Sequence, residues 1–490
     1  MKKLTIVLGL VIVGLVIFIA TMDLNQYKPK IEQAVKDASG YDLKVNGDIA
    51  ISFSPVGVSV GDVSLSVPGQ KAFATFSSFD VALEIMPLLS KEIKVNYVVL
   101  SNLNLNIEKM KNGKNNFDVS ISKKTTNKGT QTASSEEKKE PAQLPLVNVT
   151  EVRLENANIA YLDQTTGTKA NIKNINVTIN EISLDSTKEK LKSLALQGNA
   201  NIEKITYGKY NIHKMTMNFD LKDAIANLSS MKYTIFDSEA SAKARVDMSG
   251  KKPKISIEEL IPNLKLAIFG KEVFEKDLLK GTVSAKVNLA FVGDDEISVK
   301  KTLKGIVLFD GKDVGVQGYD IDKIVKSYKS LKSGDMKKAG ASFLTSALDN
   351  ASKGKDAFDT FSGGTTAIER LHIKIDISKS LATLSDVAIA TANNRVAVKG
   401  AINIVDESLK GVEIAILDKK GCASYSQKIS GSLSNPKGKS LTSKNEVSVE
   451  QVEEVVNMVS SFFGKKKDKK VKKKTDTNCK PFYNGVVKHP

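Results

Sequence analysis

Apolar and polar residues alternate along most of this chain. In YDLKVNGDIAISF, Tyr41, Leu43, Val45, Gly47, Ile49, Ile51 and Phe53 hold the odd positions, while Asp42, Lys44, Asn46, Asp48 and Ser52 hold most of the even ones. Successive side chains of a β-strand point to opposite faces, so this spacing predicts strands with one apolar and one polar side. The pattern returns in NLNLNIE (Leu103, Leu105, Ile107), NINVTIN (Ile175, Val177, Ile179) and KISIE (Ile255, Ile257). It returns again in LHIKIDIS (Ile373, Ile375, Ile377), NRVAVKGAINIV (Val396, Val398, Ile402, Ile404) and VEIAIL (Ile414, Ile416). Asn, Asp, Gly and Ser stand between the runs, as turns require. The fold class is therefore mainly β, with roughly 20 or more strands and few helices. Because the outward positions carry Asn, Asp, Lys and Ser, each sheet has a wet face and an apolar face. The apolar face needs a cover: a second sheet, a curl of the same sheet, or a non-protein ligand.

Three stretches switch to helical spacing. Residues 24–39 form one helix, with Asp23 or Asn25 as N-cap, Gly40 at the end and a narrow stripe of Tyr27, Ile31 and Val35. A second spans about 319–352, with Ile321, Ile324, Val325, Tyr328 and Leu331 on one stripe and a break near Gly334. A third runs from about 448 to 463, carrying Val449, Val452, Val456, Val459 and Phe463. Residues 122–144 are polar and low in complexity, and read as a disordered linker. The linker divides a 23–121 module from a 145–440 module with like alternation, and 441–490 form a tail.

The first residues are different in kind. Leu4 to Met22 is an apolar run of 19 residues behind Lys2 and Lys3, close to the ~20 residues that cross a bilayer. It reads as a retained transmembrane anchor with a cytoplasmic N-terminus and an exported remainder. A cleaved signal peptide is the alternative, although its apolar region is usually shorter, roughly 7–15 residues. Cys422 and Cys479 fit an oxidising compartment and form a candidate disulfide.

Net charge is +17, but KKKDKKVKKK supplies +7 of it through Lys465, Lys466, Lys467, Lys469, Lys470, Lys472, Lys473 and Lys474 with one aspartate. The remaining basic charge is spread evenly, and there is no Trp, so a nucleic-acid partner is not expected. The amphipathic 448–463 helix and this lysine block either lie on an anionic membrane surface or form a sheet-end cover and a solvated linker. The three histidines, His213, His372 and His489, are scattered, and His372 lies opposite Ile373 in a strand pattern. No nucleophile elbow, zinc, P-loop or dinucleotide motif occurs. The pairs Glu258–Glu259, Asp294–Asp295–Glu296 and Glu453–Glu454 are adjacent in sequence, so their side chains diverge. The expectation is a protein without catalysis, cofactor or metal.

Several segments, taken in order, resemble the AsmA family of Gram-negative envelope proteins. An apolar N-terminus leads into Asp23–Ser66, a short helix ending at Ser-Gly-Tyr before the Gly-Asp-Ile strand and its Ser-Pro turn. LKGTVSAKV (Leu279–Val287), Lys304–Val325, Asp356–Ile375 and KISGSLSNPKGK (Lys428–Lys439) are similar to successive parts of the family's C-terminal region. The 122–144 linker and the lysine-rich tail with Cys479 depart from the family's pattern. The resemblance implies a single-pass inner-membrane protein whose bulk is periplasmic, related to bridge-like lipid-transfer proteins with an elongated, curled, antiparallel β-groove. Its implied partners are membrane phospholipids and other envelope proteins, in phospholipid transport and outer-membrane homeostasis. Candidate groove-lining residues are Leu43, Val45, Ile49, Ile51, Phe53, Leu103, Leu105, Ile107, Ile373, Ile375 and Ile377. A structural assembly factor for outer-membrane proteins, with its apolar faces closed as a sandwich, is the competing expectation.

Overall fold

The computed structural model describes residues 23–53, 56–84, 94–118, 148–184, 190–323, 325–326, 362–434, 436–438 and 479–490. The apolar run of 4–22, the 122–144 linker, the 448–463 helix, Lys465–Lys474 and all of the 319–352 stretch beyond residue 326 lie outside the described residues. Among the described residues no helix is long and apolar enough to cross a membrane.

The protein is mainly β, with 65% of the described residues in strands, and divides into two compact units, residues 1–235 with 245–250 and residues 236–244 with 251–490. In the first unit run β1 (Asp42–Val45), β2 (Ile49–Phe53), β3 (Val56–Ser66), β4 (Ala72–Leu83), β5 (Lys94–Ser101) and β6 (Asn104–Lys109). They are followed by β7 (Asn148–Asp163), β8 (Lys169–Leu184), β9 (Leu194–Tyr207), β10 (Tyr210–Lys222) and β11 (Ile225–Ile235). Next in the chain is β12 (Ser238–Asp247). The second unit holds β13 (Lys254–Lys265), β14 (Leu279–Lys280), β15 (Thr282–Val292), β16 (Lys304–Tyr319), β17 (Ser362–Ser378) and β18 (Leu381–Ala390). It ends with β19 (Arg395–Asn403), β20 (Leu409–Leu417), β21 (Ala423–Gly431) and β22 (Pro436–Gly438).

Pairing is antiparallel between neighbours in sequence almost throughout, with one correction to the expected all-antiparallel sheet. Strands β5 and β6 both pair with β7 in parallel, Val98 opposite Val152 and Leu105 opposite Ile159. Parallel neighbours need a crossover of a dozen or more residues, and the stretch between Lys109 and Asn148 supplies that length. β5 and β6 keep one register along the longer β7, Ser101 opposite Glu155 and Asn104 opposite Asn158, interrupted at Asn102, φ 54°.

The entry helix forms where its spacing places it. Asp23 accepts a hydrogen bond from the Asn25 N–H at 2.9 Å and caps a short 3-10 turn over Leu24–Tyr27. The helix α1 (Lys28–Ser39) follows and stops at Gly40 in the left-handed conformation, φ 77°. Two further helices in the second unit, α2 (Leu266–Phe274) and α3 (Glu296–Thr302), have no counterpart in the alternation pattern. The short apolar run LAIF, preceded by a strand, carries the same periodicity as a buried strand, which is why α2 escapes a reading based on spacing.

Many of the asparagines on the wet face of the first unit serve the backbone. Asn156 and Asn174 have φ of 54° and 51°, at or beside register shifts in the β7–β8 pair. Asparagine tolerates this left-handed region better than most residues. The Asn156 N–H donates to Asn176 Oδ1 at 3.0 Å, and the Asn174 N–H donates to Asn158 Oδ1 at 3.1 Å. Each bulge inserts an odd residue, so Leu154, Ala157 and Ile159 stay on one face despite their uneven spacing.

Candidate functional site

Strand register places the apolar residues in rows that run across the strands. In the first unit Leu105 lies opposite Ile159, Ile159 opposite Ile172, Ile172 opposite Ile205, Ile205 opposite Ile212 and Ile212 opposite Ile235. A second row runs Val60, Phe79, Leu100, Leu154, Val177, Ala200 and Met217. Every residue of the first row is half-buried, although large aliphatic side chains in a closed core are normally buried. Ile175 and Met215, on a neighbouring row, are deeper, at 7% and 8% exposure. The opposite face carries rows such as Thr178, Asn199, Asn218 and Ser229. The two faces thus differ as water and hydrocarbon differ.

The second unit repeats the arrangement. Phe309 lies opposite Ile373, Ile373 opposite Val387, Val387 opposite Val398 and Val398 opposite Ile414, all half-buried. Beside them run Val287, Val307, Ile375 and Leu384, and then Ile377, Ala382, Ile402 and Leu409. Helix α2 packs onto one end of this face: the ring of Phe269 meets Phe236 at 5.2 Å and Phe309 at 6.3 Å between centroids.

The sequence-selected residues divide between these settings. Leu105 and Ile107 enter half-buried rows of the first unit, and Leu103 sits half-buried in the bend before them. Ile373, Ile375 and Ile377 lie on successive rows of the second unit. At the start of the first unit the face is closed. Val45 and Ile49, each 7% exposed, pack with Val63 at 2%, and Leu24, Leu43, Val60 and Phe76 cover them. Ile51 lies opposite Val58 and Phe53 opposite Val56. Residues with the same character that the alternation reading did not select are Ile202, Ile205, Ile212, Met217 and Phe219, and Val307 and Phe309. Their signal is present in NIEKITY and YNIHKMTMNF, where irregular positions break the strict period of two, and in GIVLF, where Ile306 and Leu308 are apolar as well.

The entry helix also has a task at the sheet edge. The Val45 N–H donates to Glu32 Oε1 at 2.9 Å, and the Ile49 N–H donates to Asn25 Oδ1 at 3.0 Å. Side chains of the helical segment thus satisfy edge N–H groups that would otherwise be available to a foreign strand.

On the wet side of the second unit, Ala388, Ala390, Ala397, Ala415 and Leu417 make a small-residue floor covered by Tyr483 and Val487 of the C-terminal segment. Cys422 and Cys479 are joined as a disulfide with Cα atoms 6.2 Å apart. Arg395, 6% exposed, donates to the Val487 carbonyl at 3.0 Å and to the Asp418 carbonyl at 3.1 Å. The Tyr483 hydroxyl donates to Asp386, and burial together with that bond pushes its pKa up to about 12. Beneath lies His372, 9% exposed, its Nδ1 2.8 Å from an Asp310 carboxylate that also accepts from Arg370. A crevice of about 450 Å³ beside this segment is lined by Lys374, Asp386, Lys399 and Phe482 among others, and its lysines pair with Asp376 and Glu413. The sulfurs near Asp418 are bonded to each other and are not thiolate ligands for a metal.

These features define a class: β-sheet proteins that present a long, half-covered aliphatic face on one side and a polar face on the other. The chain belongs to the AsmA family, which is matched over residues 1–199 and 182–387. Membership associates it, at the level of the family, with the cell envelope and a role related to lipid transport. No curated protein and no solved structure matches the chain.

Proposed function

We infer that this protein is a non-catalytic lipid carrier of the envelope, anchored in the inner membrane by residues 4–22 with its bulk in the periplasm. The apolar faces form a β-groove that holds phospholipid acyl chains while head groups stay in water, supporting phospholipid movement between inner and outer membranes. The observation that carries this reading is the set of aliphatic rows that remain half-buried across consecutive strands. Each CH₂ of an acyl chain laid on such a row gains roughly 0.8 kcal/mol from burial. Because neighbouring rows are chemically alike, a chain sliding from one to the next gains and loses nearly equal contact. No titratable cluster is required for this task, and directional transfer would come from a gradient or another envelope protein.

The test is lipid mass spectrometry on full-length protein solubilised gently from membranes. Co-purified phospholipid in stoichiometric amount is the expected result. Protein that carries no phospholipid, in a detergent where a control lipid carrier retains its own, would overturn the reading in favour of an assembly factor.

A further inference from the structure

The geometry points to a guarded redox latch: the Cys422–Cys479 disulfide holds residues 479–490 on the wet face of the second unit, and the Asp418 carboxylate slows its opening by thiol–disulfide exchange. The segment is twelve residues without helix or strand. Its hold on the sheet consists of two buried side chains, Tyr483 and Val487, the half-buried Phe482 ring beneath Lys399, the Arg395 guanidinium over the Tyr483 ring, and a few hydrogen bonds. The Phe482 and Tyr483 N–H groups donate to the Gly421 carbonyl at 2.8 and 3.2 Å, and the Val486 N–H donates to Asp386 at 3.2 Å. A floor of alanines offers little area to grip, so the covalent tether keeps the segment at high effective concentration over its seat. This face is the reverse of the one that carries the aliphatic rows, and the inference stands apart from lipid binding.

The chemistry of opening follows from the two sulfurs' surroundings. Cys479 is exposed and Cys422 is 6% exposed, so an incoming thiolate reaches the Cys479 sulfur. It forms a mixed disulfide there, and the electron pair of the broken S–S bond leaves on Cys422. A second thiol of the same reductant then attacks the mixed disulfide and frees Cys479. A dithiol is oxidised to its disulfide, the protein disulfide takes up two electrons, and the two dithiol protons end on Cys422 and Cys479. An Asp418 carboxylate oxygen and both sulfurs lie within 4.8 Å of one another. The carboxylate is held there by the Lys420 and Cys422 N–H groups, which donate to its Oδ1 at 2.8 and 2.9 Å. A thiolate forming on Cys422 therefore meets a fixed negative charge, which makes it a poorer leaving group.

The experiment measures reduction of full-length protein by dithiothreitol, read by alkylation and mass, for wild type, Asp418→Asn and Asp418→Ser. Both variants remove the charge and keep an oxygen that can accept the two N–H bonds. Each should be reduced about tenfold faster than wild type. An unchanged rate in both would overturn the guard. Hydrogen exchange on the reduced wild type reads the latch. The amides of Phe482, Tyr483, Val486 and Val487 should lose far more protection than those of β18 to β20. If the four amides stay as protected as in the oxidised protein, the disulfide is not what holds the segment.

Discussion

A lysine placed on an aliphatic row and a lysine placed in a closed cluster should have sharply different costs. In the first unit, Leu105 is half-buried in its row, whereas Val63 is 2% exposed beneath Leu24 and Phe76. For Leu105→Lys the loss is part of one aliphatic side chain's burial, about 1 kcal/mol, because the lysine stem still covers its neighbours and the ammonium reaches water. For Val63→Lys the ammonium enters a sealed apolar cluster, and the cost is about 4 kcal/mol or more. Against a typical stability of roughly 5–15 kcal/mol, the second change brings the unit near unfolding and the first does not. The second unit offers the same comparison between Ile375→Lys, half-buried, and Leu264→Lys, 1% exposed. Equilibrium denaturation gives the stabilities, and native mass spectrometry counts the phospholipid retained. Leu105→Lys and Ile375→Lys should stay folded and lose bound lipid. Equal destabilisation by the row and cluster variants would refute the reasoning, since the rows would then be covered core.

Other expectations are as direct. Glu32→Ala should expose the Val45 N–H, cost about 1 kcal/mol and speed exchange of that amide, with Glu32→Gln restoring much of its protection. Reducing the 57-residue Cys422–Cys479 loop should lower the stability of the second unit by about 4 kcal/mol in the chain-entropy account, measured as a denaturation midpoint with and without reductant. Asp163 is held below the usual carboxylate range by Lys109 first and by the Thr165 and Thr166 N–H groups. Its depressed folded pKa gives stability that is present above the unfolded value of 3.8 and is lost as pH falls through the folded one, so Asp163→Asn should flatten the acid limb of the unfolding curve. Tyr483 has the opposite sign. With a folded pKa of about 12 against 10.0, its contribution is complete below pH 10 and fades as pH rises towards 12. The protection of the 479–490 amides, taken relative to the base-catalysed intrinsic rate, should therefore fall over that window in wild type but not in Tyr483→Phe. Gly421, at φ +80°, has no room for a Cβ against the Tyr483 carbonyl, so Gly421→Ala should loosen the same segment.

Much of the site was legible because strand chemistry is local. Ile373, Ile375 and Ile377 alternate with Lys374 and Asp376, and any strand built from them must put the isoleucines on one side. The rows through Ile205 and Ile212 were harder to see. Lys214 at φ 52° and Ser230 at φ 53° mark irregular positions in β10 and β11, and a broken period looks like noise when read along one chain. Hairpin turns were similarly obscured: Asp223–Ala224 and Lys379–Ser380 adopt positive φ at both residues without glycine, in a geometry that usually advertises itself as Asn-Gly.

The sequence by itself determined that the chain is a β protein with one wet and one apolar face, that it resembles the AsmA family and that an entry helix, capped at Asp23 or Asn25, ends at Gly40. Those follow from periodicity, capping and composition, which act over a few neighbouring residues. Only the tertiary structure decided which aliphatic residues stay half-open and which are sealed, because exposure depends on what a distant segment lays over them. Leu24 closes Val45 and Ile49, while among the described residues no such neighbour seals Leu105. The direction of β7 beside β5 and β6, and the seat of Tyr483 and Val487 on an alanine floor, are likewise contacts between residues far apart in the chain. Alternation says which way a side chain points; what waits there is a property of the fold.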